Sequence, residues 1–121
     1  MNTENRVTVM IGSNIAGKTA IVTKASAEVA SMLSDAVITG PLTNPDYTGI
    51  GLDYCNMLVA GRTGLELENL KKKYREIETR YGRQHGNKAE VALDIDIVVF
   101  AGQIIKPLEY NSKAYGILNK A

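Results

Sequence analysis

Two aspartates, Asp94 and Asp96, carry the clearest chemical signal in the sequence. They alternate with apolar residues over positions 93–99, which is the pattern of a β-strand with one buried face. Both carboxylates therefore project from the other face, about 7 Å apart at the usual rise per residue. Paired carboxylates suit Mg²⁺, which also binds phosphate oxygens. The alternative is a pair of solvated side chains on a half-exposed sheet, and the alternation by itself favours that alternative.

The segments around this strand predict the order β-α-β-β-α-β. Strands are predicted at residues 6–11, 35–39, 52–60 and 92–100, and helices at 17–33 and 63–81. This order is typical of the ferredoxin-like α+β fold, with two helices on one face of an antiparallel sheet. Residues 101–103 predict a turn into an extra C-terminal hairpin with Ile104 and Ile105. The tail from Lys106 gives no clear prediction.

Local turn and cap residues divide these elements. Thr63 and Glu66 have the spacing of a capping box, which predicts that the second helix begins there. Residues 40–51 are rich in glycine, proline and asparagine and predict a loop. Ser13 and Asn14 follow the first strand, where we expect them to shape a turn rather than to contact a substrate.

Composition excludes several classes of protein. The 121 residues predict one domain over positions 1–121, and a net charge of +1 argues against a nucleic-acid partner. The run Lys71 to Lys73 is flanked by glutamates and is typical of a solvated helix face. The one cysteine, Cys55, lies in an apolar run and predicts a buried, inert thiol. Neither a signal peptide nor a membrane-spanning stretch is apparent, so we expect a cytoplasmic protein without a membrane partner.

Five short segments, taken in order, resemble the hallmarks of a known family. They are Gly-Ser-Asn at 12–14, Gly-Pro-Leu at 40–42, Asp-Tyr-Cys-Asn at 53–56, Ile-Glu-Thr-Arg-Tyr-Gly-Arg at 77–83 and Leu-Asp-Ile-Asp-Ile at 93–97. The last two are the most specific. Over residues 7–116 the chain is similar to the 6-hydroxymethyl-7,8-dihydropterin pyrophosphokinases, which transfer diphosphate from ATP to a pterin alcohol in folate biosynthesis.

The resemblance implies a metal site and a nucleotide site. The paired aspartates of that family hold two Mg²⁺ ions that bridge the ATP phosphates, and Asp94 and Asp96 match them. Arg83 matches a catalytic arginine of the loop that closes over the phosphates. Glu78 and Tyr110 match positions near the nucleotide, although a glutamate on a helix surface is the simpler interpretation of Glu78. The implied partners are ATP and a reduced pterin.

The resemblance also implies a pterin pocket. Asn56 matches an asparagine whose amide hydrogen-bonds to the edge of the pterin ring, and an amide suits a ring edge with alternating donors and acceptors. Gly40, Pro41 and Leu42 match a loop that lines the pocket, and Tyr54 belongs to the same substrate-binding set. The sequence alone leaves two alternatives open, namely a structural asparagine at a strand end and a simple turn.

Several charged residues of that family have no counterpart here. An arginine three positions before the first aspartate corresponds to Val91, and a second loop arginine corresponds to His85. Near the C-terminus a histidine corresponds to Glu109, an arginine to Tyr115 and a stacking aromatic residue to Ile117. The chain is also shorter at its C-terminus than the family pattern. Three lysines lie where they could compensate for the lost charges: Lys88, Lys106 and Lys113.

Two hypotheses about function follow. In the first, the chain is a shortened, divergent pyrophosphokinase that depends on Asp94, Asp96 and Mg²⁺. In the second, it is a non-catalytic relative that binds a nucleotide or a pterin, or that acts as a homo-oligomer. The retained aspartates favour the first hypothesis, whereas the lost charges favour the second.

Overall fold

A computed structural model describes residues 4–44, 53–82 and 91–120. Within these ranges five strands and four helices follow one another. They are β1 (Asn5–Ser13), α1 (Lys18–Ser31), β2 (Ser34–Asn44), β3 (Tyr54–Thr63), α2 (Leu67–Arg80), β4 (Asp94–Phe100), β5 (Gln103–Ile104), α3 (Pro107–Tyr110) and α4 (Lys113–Lys120). None of the helices in these ranges is long and apolar enough to cross a bilayer.

The strands form one antiparallel sheet in the order β2-β3-β1-β4-β5. This arrangement confirms the predicted ferredoxin-like α+β fold. The predicted hairpin is also present, because Ala101 and Gly102 both have positive φ, as a two-residue turn between β4 and β5 requires. β1 is the central strand, so it fixes the register of both β3 and β4.

Helices α1 and α2 pack on one face of the sheet, as predicted. Alternate residues of β1, β3 and β4 meet the apolar stripe of each helix. The fully buried members of this core include Val9, Ile11, Val22, Val29, Val59, Leu70, Tyr74, Ile77 and Leu93. Each buried aliphatic side chain contributes about 1.5–3 kcal/mol relative to exposure. Cys55 is free and buried in the same core, which confirms the predicted burial of the thiol.

The tail from Lys106, which had no clear prediction, forms a second layer on the opposite face of the sheet. Ala114, Tyr115 and Leu118 of α4 pack against Met10 of β1, Leu58 of β3 and Val98 of β4. The Tyr115 hydroxyl also hydrogen-bonds with Thr8 Oγ1 at 3.0 Å. This small apolar cluster positions the segment that follows β5.

Two local predictions were wrong. The predicted loop at residues 40–51 is wrong for its first part, since β2 continues through a cis Gly40–Pro41 peptide to Asn44, with a register irregularity between Thr39 and Leu42. Residues 45–51 of that prediction lie outside the described residues. The capping box is absent: Thr63 is still paired with Asn5 in the sheet, and its hydroxyl accepts a bond from the Leu65 amide at 3.1 Å. Sheet pairing therefore outweighs the local helix-start pattern.

Candidate active site

Asp94 and Asp96 lie on β4 as the alternation predicted. Ile95 and Ile97 pack into the helical core, so the two carboxylates face the other way. The Asp96 side chain is only 12% exposed. Solvated side chains on an open sheet face are therefore the wrong interpretation for Asp96.

The pair is electrostatically costly without a cation. Burial, a hydrogen bond with Asp94 and the charge on Asp94 raise the pKa of Asp96 to about 9. Lys106 opposes this rise in pKa, and Glu109 adds to it. A bound cation would remove the repulsion and keep both carboxylates ionised.

The donor set fits Mg²⁺ in one particular way. No group of three or more histidine, cysteine, aspartate or glutamate side chains able to hold a metal ion occurs in the part of the chain that the structure describes. The aspartate pair would thus supply two carboxylate ligands, and water or phosphate oxygens would complete the coordination. Mg²⁺ is commonly bound in this manner, through one or two carboxylates and substrate phosphates.

Glu78 of α2 supports the strand between the two aspartates. Its side chain is buried, and Oε2 accepts a hydrogen bond from the Ile95 amide at 2.7 Å. The simpler interpretation of Glu78 as a helix-surface residue is therefore wrong. Because Ile95 separates Asp94 from Asp96, this contact fixes the backbone that carries both carboxylates.

Lys106 brings a positive charge to the pair. Its Nζ lies 3.5 Å from Asp96 Oδ1, and its side chain is about half exposed. The β4–β5 hairpin places it there, since the amides of Ile105 and Lys106 both donate to the Val98 carbonyl, at 2.8 and 3.3 Å. Of the three lysines proposed as compensating charges, Lys106 is the one that the described structure brings to the aspartates.

A pocket of ≈ 240 Å³ opens between α2 and the outer edge of β4. Among the described residues β5 pairs only with Val99 and Phe100, so it leaves this part of the edge uncovered. The pocket is lined by Lys71, Tyr74, Arg75, Glu78, Asp94, Ile95, Asp96, Ile97 and Lys106. The mixture of carboxylates and cations suits a metal-bound polyanion.

The contribution of α2 to this pocket was not predicted from the sequence. Lys71, Tyr74 and Arg75 were predicted only as helix residues, and Lys71 as part of a solvated face. A sequence signal was available, because residues 71, 74, 75 and 78 share one side of a helix. The structure places Glu78 against β4, so the other three lie beside it at the pocket wall.

The predicted pterin-binding residues lie on the side of the aspartate pair that faces β1, away from the α2 pocket. Gly12 of β1 is paired with Asn56 of β3 on one side and with Asp94 of β4 on the other. Asn56 Nδ2 donates to the Ile11 carbonyl at 3.4 Å, and Leu42 is its partner in β2. Four neighbouring strands thus place one residue each side by side: Leu42 of β2, Asn56 of β3, Gly12 of β1 and Asp94 of β4.

Gly40, Pro41 and Tyr54 lie close to the same residues. Gly40 approaches Asn56 so closely that an added Cβ would lie 3.1 Å from the Asn56 carbonyl oxygen. An added Cβ on Gly12 would lie 3.6 Å from the Tyr54 ring. The predicted substrate-binding set therefore forms one neighbourhood, although Gly40 to Leu42 belong to a strand rather than a loop.

Replacement of Gly12 by alanine should impair this neighbourhood selectively. The new Cβ would lie 2.6 Å from Asn56 Nδ2, so the amide must move. If Asn56 has the role that the resemblance implies, the KM for a pterin should rise about tenfold, because a displaced amide loses a directional hydrogen bond, while the Kd for Mg-ATP stays within about twofold. Steady-state kinetics and calorimetry would measure these two values. Gly64→Ala is the matched control, since nothing lies within 4 Å of its added Cβ; an unchanged KM in Gly12→Ala would contradict the assignment of Asn56.

Ser13 and Asn14 anchor the approach to β4 rather than only shaping a turn. The Asn14 amide and the Ser13 hydroxyl both donate to the Val91 carbonyl, at 3.1 and 3.3 Å. The Val91 amide in turn donates to Asn14 Oδ1 at 2.6 Å. Val91 is buried, so the position at which the family has an arginine is here an apolar anchor.

The structure also shows the surroundings of three other substituted positions. Tyr115, at the position of another family arginine, is buried in the α4 cluster, and its ring centroid lies 5.4 Å from that of Tyr110. Glu109 is close enough to raise the pKa of Asp96. Ile117 is exposed. The predicted catalytic Arg83 lies outside the described residues, as do His85 and Lys88.

Comparison with protein families identifies one family over most of the chain. Residues 8–116 match the sequence model of the family described as 7,8-dihydro-6-hydroxymethylpterin-pyrophosphokinase (HPPK). A search of curated proteins gave no significant match. The family match includes the two aspartates, the Glu78 support and the Gly12–Asn56 neighbourhood, and the chain belongs to the 7,8-dihydro-6-hydroxymethylpterin-pyrophosphokinase family.

Proposed function

We propose that this chain transfers diphosphate from Mg-ATP to 6-hydroxymethyl-7,8-dihydropterin. The observation that carries the proposal is the position of Asp94 and Asp96 between two neighbourhoods. On one side is the pocket with three cationic side chains, and on the other are Gly12 and Asn56. A reaction between a polyphosphate and a neutral ring substrate needs this juxtaposition.

The reaction is a displacement at phosphorus. The hydroxymethyl oxygen of the pterin forms a bond to the β-phosphorus of ATP, the bond from that phosphorus to the α–β bridging oxygen breaks, and AMP leaves. The hydroxyl proton is released. Asp94 and Asp96 would hold Mg²⁺, which supplies neutralisation of phosphate charge and orientation of the reacting oxygens.

The chain's own residues supply positioning and charge. Glu78 holds the backbone of β4 in place through the Ile95 amide. Asn56, in register with Gly12, would orient the pterin through its amide. Lys71, Arg75 and Lys106 line the pocket and would offset phosphate charge in place of the family arginines that are Val91 and Tyr115 here.

Release of AMP from ATP tests the proposal. We would measure it with and without the pterin, in the presence of Mg²⁺ and in excess chelator. AMP that requires both the pterin and Mg²⁺ would support the transfer reaction. An absence of pterin-dependent AMP, from protein whose thermal unfolding shows a cooperative transition, would refute it.

A second candidate function is binding without turnover. Val91 and Tyr115 stand at two positions where the family has arginines, and both are buried. This favours binding without turnover, because neither position supplies a positive charge to the phosphates. It is also favoured by exposed Val37 and Ile38 on the edge strand β2, a surface that strand pairing with a second copy would cover. Saturable Mg-ATP binding without AMP release would support this candidate, and sedimentation at increasing concentration would test self-association.

Lys106 provides a test of the charge argument. Lys106→Met removes a cation 3.5 Å from Asp96 Oδ1, and we expect kcat/KM for Mg-ATP to fall about tenfold. The effect on stability should stay below about 1 kcal/mol, because the lysine is about half exposed. Lys113→Met, at an exposed position of α4, is a control of equal charge change. Equal kinetics for the two variants would show that Lys106 carries no part of the phosphate charge.

A further inference from the structure

The hydroxyl group of Tyr74 is an unused hydrogen-bond donor in the described structure. The residue is 1% exposed, and its oxygen has no hydrogen-bond partner among residues 4–44, 53–82 and 91–120. Buried tyrosine hydroxyls normally have a partner, because removing the group from water without one is unfavourable. A phenylalanine would fill the same apolar space without that penalty.

Tyr74 lies at the wall of the pocket beside the aspartate pair. Tyr74 lies one helical turn before Glu78 on α2, and both line the ≈ 240 Å³ pocket beside Asp94 and Asp96. Two further α2 residues on that wall, Lys71 and Arg75, have substantially exposed side chains. Because Tyr74 lines the same pocket as these two long side chains, the inference requires that a ligand displaces them far enough to reach the hydroxyl.

The chemistry of the hydroxyl limits what it can bind. Burial raises the pKa of the Tyr74 phenol above its ordinary value, so the group remains protonated and able to donate. The charged groups of the pocket already offer three cations to phosphate oxygens. A single neutral donor beside them suits an uncharged acceptor, such as a ring nitrogen or a sugar oxygen.

We propose that the Tyr74 hydroxyl donates a hydrogen bond to the nucleoside part of the nucleotide in the α2–β4 pocket. Tyr74 is then a specificity residue that distinguishes a nucleotide from a bare polyphosphate. This inference rests on the proposed function, because it requires that the pocket binds Mg-ATP. A purely structural Tyr74 would instead leave nucleotide affinity independent of the hydroxyl.

The substitution Tyr74→Phe separates these two roles. The unliganded variant should unfold at the same temperature as the wild type or at a higher one, since an unpaired buried hydroxyl is removed. Its Kd for Mg-ATP, measured by calorimetry without the pterin, should rise about five- to tenfold. Its Kd for magnesium tripolyphosphate should not change.

Tyr115→Phe is the matched control. It also removes one tyrosine hydroxyl, but that hydroxyl hydrogen-bonds with Thr8 at 3.0 Å, so we expect a lower unfolding temperature and an unchanged Kd for Mg-ATP. An unchanged Kd for Mg-ATP in Tyr74→Phe would overturn the inference, as would a lower unfolding temperature or an equal loss of affinity for tripolyphosphate. If the wild type does not bind Mg-ATP at all, the proposed function is refuted together with this inference. If the wild type and Tyr74→Phe bind Mg-ATP equally tightly, only this inference is refuted.

Discussion

Replacement of Asp96 by asparagine should lower kcat for diphosphate transfer by about 10³-fold or more and, at the same time, stabilise the metal-free protein. The catalytic loss follows because an amide carries no charge to hold Mg²⁺ against the phosphates. The gain in stability follows because the side chain is 12% exposed and hydrogen-bonded with a second carboxyl group. An asparagine keeps the shape and removes the need to bury or protonate a charge.

Two measurements on the same preparations check this prediction. Rates come from AMP release, and the free energy of unfolding comes from denaturant titration in chelator at pH 8. Asp35→Asn is the control, because Asp35 forms an exposed ion pair with Arg62. We expect its free energy of unfolding to change by less than about 1 kcal/mol and its rate of AMP release to stay the same. A variant at Asp96 that is inactive and also less stable would indicate a structural role for the carboxylate instead.

The opposite signs of these two effects describe how the site is built. Without a cation, burial and the repulsion between the two carboxylates raise the pKa of Asp96 to about 9, so the fold disfavours its ionised form. Glu78, Lys106 and the Ser13–Asn14 contacts to Val91 hold β4 in spite of the repulsion. Stability is thus reduced at the position where a metal-bound phosphate would restore it, a common trade-off at functional sites.

The orientation of the aspartates was predictable from the sequence because it depends only on strand periodicity. Leu93, Ile95 and Ile97 must face the core, and the residues between them must face away. The order of elements was predictable for the same reason, since each has its own local pattern. The orientation of the aspartates therefore follows from Ile95 and its neighbours alone, without information from the rest of the chain.

The pocket wall was not predictable in that way. The helical period shows that residues 71, 74, 75 and 78 share one side of α2. Which side and which turn of α2 reach the edge of β4 depends on how the helix sits on the sheet, and no local pattern gives that. Lys71 and Arg75 belong to a charged stretch that also matches a solvated face, and only the Glu78–Ile95 contact shows their true position. Tyr74 fits a core stripe equally well, so its unpaired hydroxyl becomes visible only in three dimensions.

Short segments with weak patterns were the other limit. α3 and α4 comprise four and eight residues, too short for periodicity to separate a helix from a loop. Tyr115 was therefore considered only as a lost arginine, whereas it is a core residue of the second layer. The capping-box prediction at Thr63 failed because strand pairing with Asn5 holds that backbone extended.

The stability of the metal-free protein should fall as pH rises from about 5 to 8. The pKa of Asp96 is raised from 3.8 to about 9 in the folded state, so between these values the folded chain holds one more proton than the unfolded chain. The contribution of this proton is complete below the unfolded pKa and is lost as pH passes the folded pKa. The slope can reach about 1.4 kcal/mol per pH unit for a single proton.

The comparison with Asp96→Asn separates the contribution of the Asp94–Asp96 pair from that of the other titrating groups. The groups that act on Asp96 or share its pocket are Asp94, Lys106, Glu109, Glu78, Lys71 and Arg75. All of them, and His85, remain in the variant, so the difference between the two pH profiles of unfolding free energy belongs to Asp96 and its coupling with Asp94. Mg²⁺ binds the ionised carboxylates and should therefore stabilise the wild type more at pH 8 than at pH 5.5. Parallel profiles in chelator would mean that Asp96 is already ionised at pH 5, and the fixed cations of the pocket would then have to balance the pair without a metal.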